Sequence, residues 1–137
     1  MSLAQRFAQI FGAVYVLVGI LGFIPPLLAG YMSTSVMSGP FTGFLLGVFA
    51  VNWFHSLAHL IIGIGGLATY RNSVAARTYC LVIGIAYAAL FVLGLIFGLS
   101  FLGGFLPLNG ADNVLHLLSA LLAFGAFFAS RETLSTA

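Results

Sequence analysis

Apolar positions along this chain come in long blocks, with polar residues confined to short gaps between them. A helix that crosses a bilayer needs about 20 mostly apolar residues, since roughly 30 Å of hydrocarbon is covered at about 1.5 Å per residue. Four blocks qualify: residues 3–24, 52–70, 78–99 and 113–129. The first is stopped by Pro25-Pro26, whose nitrogens cannot donate to a continuing helix. The second is ambiguous at its start, because apolar residues run from Phe41 to Tyr70, too many for one upright helix. Asn52 is a good N-cap, so the span is expected to begin there, with residues 41–51 as an interfacial lead-in. The alternative is one long tilted helix from near Phe44. Asp112 is the expected N-cap of the fourth span.

Composition agrees with the pattern. Of 137 residues, 62% are hydrophobic and 4% charged, and the mean hydropathy is +1.21. A soluble domain carries roughly 25% charged residues to wet its surface. These values exclude a soluble monomer and a disordered chain. Four arginines face only Asp112 and Glu132, for a net charge of +2, so no basic patch exists to neutralise nucleic-acid phosphates. The expectation is one integral membrane domain over residues 1–137, an all-α four-helix bundle surrounded by lipid.

Orientation follows from the arginines. Arg6 precedes the first span, Arg71 and Arg77 flank the link between the second and third, and Arg131 follows the fourth. The opposite loops, residues 25–51 and 100–112, hold no Lys or Arg. The positive-inside rule places both termini in the cytoplasm. Tyr31, Phe41, Phe101 and Phe105 stand where interfacial aromatics belong. A cleaved signal peptide is the rival reading of the first block, but its apolar region is long and lacks a small-x-small site before the prolines. Cys80 is the one cysteine and lies in an apolar run, as a small buried hydrophobe would.

The two halves share motifs. Asn52-x-x-His55 and Asn113-x-x-His116 open the second and fourth spans; Gly12-x-x-Tyr15 and Gly84-x-x-Tyr87 occur in the first and third, followed by Gly22 and Gly94. Duplication of a two-span unit gives parallel repeats about an axis along the membrane normal. The second and fourth spans would then face each other across that axis.

Lipid gives no hydrophobic drive between helices, so small residues and interhelical hydrogen bonds must hold the bundle. Ala4, Ala8, Gly12, Gly19 and Gly22 supply one such stripe, and Cys80, Gly84, Ala88, Gly94 and Gly98 another. These are packing faces within the monomer or an oligomer interface. Asn52, His55, His59 and Gly63 share one helical face, as do His116, Ser119 or Ala120, and Ala123. Polar groups within a bilayer turn away from lipid, so both faces are expected to point inward.

Several chemistries suit three histidines. A pair at i and i+4 with a third from a facing helix can ligate a transition metal, and one or two imidazoles can hold haem or another tetrapyrrole. The second ring nitrogen then wants an orienting partner such as Asn52, Asn113 or Ser56. Proton relay is open because imidazole changes charge near physiological pH. The plainest reading is an Asn–His polar clamp that fixes register. Enzymatic acid–base or nucleophilic work is not expected: Glu132 lies in the tail, Asp112 has a capping role, and no acid is placed to complete a triad with Ser56 or Ser119. Gly63-x-Gly65-Gly66 lies inside a span without strand or cation, so it is a packing element and not a nucleotide loop.

The stretch Phe49-Ala50-Val51-Asn52, with His55, His59 and Gly63, and then Asp112-Asn113-Val114-Leu115-His116, resembles a bacterial family of small four-span membrane proteins of unknown function. That resemblance covers nearly the whole chain. It implies a multi-pass protein of the bacterial cytoplasmic membrane and brings no substrate, cofactor or catalytic residue. Function is therefore expected to be non-catalytic: a scaffold or accessory subunit, forming a homo-oligomer or joining a larger complex. The alternatives are a cofactor or metal carrier built on His55, His59, His116, Asn52 and Asn113, and a proton or small-solute conduit.

Overall fold

The computed structural model describes residues 1–31 and 37–130. Four helices form among them: α1 (Leu3–Leu21), α2 (Trp53–Thr69), α3 (Ser73–Phe97) and α4 (Gly110–Ala129). Three of these, α1, α3 and α4, are long and apolar enough to cross a membrane. Helix α2 is apolar but has 17 residues, about 26 Å at the usual rise. Arg131 and Glu132 lie outside the described residues.

The chain is not purely α-helical. Residues 41–51, expected as an interfacial lead-in or an early helix, instead supply two strands of a three-stranded antiparallel sheet, β1 (Leu28–Ala29), β2 (Gly43–Leu45) and β3 (Phe49–Val51), in that spatial order. Leu28 pairs with Leu45, and Phe44 with Ala50. The β2–β3 turn requires positive φ at Leu46 and Gly47 (53° and 76°), a tight reversal that no helix could accommodate. Leu28, Leu45 and Val51 pack with Val18 and Leu21 of α1, so the sheet closes one end of the bundle.

Helix boundaries follow side-chain caps. Asn52 caps α2 as expected, accepting from the His55 amide at 2.9 Å. Helix α3 starts earlier than residue 78, because Asn72 caps it through the Ala75 amide; Arg77 is thus helical. Helix α4 is capped by Asn109, not Asp112. Asn109 Oδ1 accepts from the Asp112 amide, and Asp112 Oδ2 accepts from the Asn109 amide, both at 2.9 Å. This reciprocal arrangement satisfies two amide donors that the helix itself leaves open.

Helix α1 packs chiefly on α2, and α3 on α4, so the chain is two helical hairpins laid side by side. Small residues set the approach. A Cβ at Gly12 would stand 2.8 Å from the Gly63 carbonyl oxygen, and one at Gly63 2.5 Å from the Val16 nitrogen. The Gly63-x-Gly65-Gly66 segment is therefore a packing element. Ala4, Ala8, Ala76, Cys80 and Ala126 form a second close-packed layer. Arg6, Arg71 and Arg77 gather at that end: Gln5 donates to the Arg71 carbonyl, and the Arg77 guanidinium lies 4.1 Å from the Phe127 ring centroid.

Candidate functional site

At the sheet-covered end, the seam between the hairpins holds the polar side chains. His55, His59 and His116 are 3%, 6% and 2% exposed. All three face inward, as the sequence pattern predicts. His55 and His59 are one turn apart on α2 with ring centroids 4.5 Å apart, and the His116 ring of α4 lies 6.3 Å from that of His55. Two tyrosines complete the group. Tyr15 of α1 meets His59 edge-on at 5.1 Å, Tyr87 of α3 meets His116 at 5.1 Å, and the tyrosine rings are 5.7 Å apart. Five aromatic rings therefore form one closed circuit through all four helices. Helices α2 and α4 do not pack backbone to backbone as a twofold seam would require; these rings fill the distance between them.

The Asn–His clamp does not form. Asn52 uses its Nδ2 on the loops, donating to the Ser38 and Phe105 carbonyls at 2.8 Å each. Among the described residues, Asn113 has no hydrogen bond to Oδ1, and Ser56 none to Oγ. Neither asparagine nor Ser56 orients a histidine. The Nδ1 atoms of His55, His59 and His116 are all buried without a hydrogen-bond partner among the described residues. The His55 ring lies within reach of the Ala50 and Pro107 backbone carbonyls. Buried polar atoms in folded proteins are almost always satisfied, and each exception asks for an explanation.

Asp112 links this centre to the sheet. Its Oδ2 accepts from the Ala50 amide of β3 at 3.2 Å as well as from Asn109. Ser119 pairs with the Tyr15 hydroxyl at 3.3 Å. Beyond that pair the interior turns apolar, through Ala4, Ala8, Ala76 and Cys80 with Phe7 beside them. Among the described residues, no group of three or more His, Cys, Asp and Glu side chains is arranged to hold a metal ion.

Tyr15 and Tyr87 were not among the residues the sequence singled out for chemistry. The Gly-x-x-Tyr motif was the available signal, for it places each tyrosine one turn from a glycine on the helix's buried face.

Helices of membrane-crossing length around a buried His/Tyr centre, closed by a small sheet, define the class of protein. The chain belongs to a family described as a domain of unknown function, DUF4383, which it matches over residues 5–129. Neither a curated protein nor a solved structure gives a significant match.

Proposed function

We propose that this is a non-catalytic protein of the bacterial cytoplasmic membrane that holds a small ligand at the His55–His59–His116 centre. Four crossings with both termini cytoplasmic put the arginine-bearing end inside. Helix α2 is short because the sheet and Asn52 take up the remaining depth on the outer side. One observation carries the reading: three imidazole nitrogens, each buried and each without a hydrogen-bond partner among the described residues, in one contiguous ring cluster. Leaving a buried donor or acceptor unpaired costs about 1–3 kcal/mol, so a ligand or cofactor that satisfies several at once gains a matching advantage. A small neutral molecule with hydrogen-bonding atoms uses imidazole in this way, whereas the enclosed space beside His59, about 80 Å³, has no room for a tetrapyrrole.

Native mass spectrometry, an absorption spectrum and elemental analysis of gently purified protein test it. The expected result is a stoichiometric bound molecule that is lost in His55→Leu, His59→Leu and His116→Leu. Wild-type protein that retains no molecule from replete cells overturns the reading.

An accessory or scaffold role is the second reading, favoured by the outer helix faces. Ile10, Leu17, Ile61, Leu95, Leu121 and Phe128 are all more than half exposed. It predicts a homo-oligomer or larger complex in mild detergent; a monodisperse, fully functional monomer rejects it. The conduit reading gains no such support, because the polar groups stop at Tyr15–Ser119 and an apolar layer follows.

A further inference from the structure

Three described arginines stand at the end of the bundle away from the sheet, and two of them are held within the chain. Arg71 Nε donates to the Tyr70 hydroxyl at 2.9 Å, and Arg77 Nε donates to the Phe127 carbonyl at 3.3 Å. The Arg6 guanidinium has neither a hydrogen bond nor an ion pair among the described residues. The described carboxyl side chain, Asp112, is at the opposite end. Arg6 therefore presents a cation that this part of the chain leaves unanswered.

The same arginine lines the mouth of an open groove between α1 and α4. One section, of about 370 Å³, runs from Leu3 and Arg6 past Gly125. The next, of about 360 Å³, shares Phe7, Ile10 and Leu122 with it and ends at Tyr15 and Ser119. Between Arg6 and the Tyr15–Ser119 pair the walls of this trough are apolar. That stretch rises about 14 Å along α1, close to half of a hydrocarbon core roughly 30 Å thick. The trough is thus one leaflet deep, with its charge at the water side. Its floor has a further peculiarity. Every other glycine in a helix interior has a neighbouring atom within 4 Å of where its Cβ would stand, whereas Gly125 has none. Glycine weakens a helix relative to alanine, and no described neighbour requires the missing side chain here.

Charge and depth together select the occupant. A second copy of the chain offers more apolar surface and another Arg6, but no described carboxyl group at this end to answer the first. A zwitterionic lipid brings its own cation beside its phosphate. A lipid whose head carries a net negative charge supplies both an anion at the mouth and an apolar chain of one leaflet's length. We propose that the α1–α4 trough is a binding site for one anionic phospholipid, its phosphate on the Arg6 guanidinium and one acyl chain laid over Gly125 toward Tyr15. Guanidinium pairs well with phosphate oxygens because its planar fork donates two parallel hydrogen bonds. The site is separate from the histidine centre and does not depend on what that centre holds.

The test is native mass spectrometry of the full-length protein, titrated with phosphatidylglycerol or phosphatidylcholine of the same acyl chains. Photolabelling by a phosphatidylglycerol with a diazirine on one acyl chain locates the site. We expect one phosphatidylglycerol to be retained, with labels on the trough residues of α1 and α4. Its preference over phosphatidylcholine should be about fivefold, the worth of one arginine near an anionic head. Arg6→Gln should remove that preference, and Arg6→Lys should keep most of it. Gly125→Leu should weaken both lipids by filling the trough. Both positions are exposed, so neither substitution disturbs the core. Arg71→Gln, equally exposed but held on Tyr70, should bind as the wild type does. Equal affinity for the two lipids, a preference that survives Arg6→Gln, or labels spread over α2 and α3 overturns the proposal. So does a lipid-free dimer that Gly125→Leu dissociates, since a second copy then fills the trough. Displacement of phosphatidylglycerol by inorganic phosphate means that the guanidinium takes a free anion, and rejects the lipid site as well.

Discussion

Asn113 presses its side-chain amide onto the backbone of Gly94 so closely that a Cβ there would overlap Asn113 Oδ1. The first hairpin repeats the arrangement, with Ser56 Oγ in the space that a Cβ on Gly22 would need. Both oxygens lack hydrogen bonds among the described residues and lie against glycine backbone. Each hairpin thus uses a glycine near the sheet-covered end to admit a polar side chain from its own second helix.

Gly94→Ala should therefore destabilise the protein by about 1–3 kcal/mol, the usual range for overpacking a filled site. Gly22→Ala should cost less, because a serine hydroxyl can rotate aside while an amide cannot shrink. Thermal unfolding in one detergent checks the order.

The Tyr15–Ser119 bond joins α1 to α4 across the seam between hairpins. Interhelical hydrogen bonds in membranes average about 0.6 kcal/mol in double-mutant cycles. A cycle of Tyr15→Phe and Ser119→Ala should return a coupling of about that size. Coupling indistinguishable from zero would mean that the two hydroxyls do not pair.

Asp112→Ala leaves the part-buried Asn109 amide and the buried Ala50 amide without their acceptor, the latter at about 1–3 kcal/mol. Hydrogen exchange at Ala50 should accelerate markedly. Asp112→Asn retains a carbonyl oxygen and should recover most of the protection.

Orientation is checked in a Cys80→Ala background with single cysteines at exposed Ser73 and Val48. A membrane-impermeant maleimide added to intact spheroplasts should label Val48→Cys, and label Ser73→Cys only after lysis. The reverse pattern inverts the topology.

How far the sequence could be read depended on the length scale of each signal. The inward face of α2 was visible because His55, His59 and Gly63 keep a helical interval, and burial leaves no other orientation for them. The sheet was hidden because strands of two or three residues are too short to show a period against a uniformly apolar background. In Leu45-Leu46-Gly47-Val48 only the glycine marked a reversal. Asp112 was misplaced by one turn because its cap partner, Asn109, is separated from the apolar block by Gly110 and Ala111, which read as loop. Tyr15 and Tyr87 lie on the buried faces of α1 and α3, yet their meeting with the histidines depends on how the hairpins dock, which no local pattern carries.

Strand β3 runs directly into α2 through Asn52, while its Ala50 amide is held by Asp112 from the far hairpin. The cap is thereby sewn to both halves of the molecule. Cleaved at the exposed Arg71–Asn72 link, the two fragments retain that stitch, and when co-expressed they should find each other and rebuild the intact assembly.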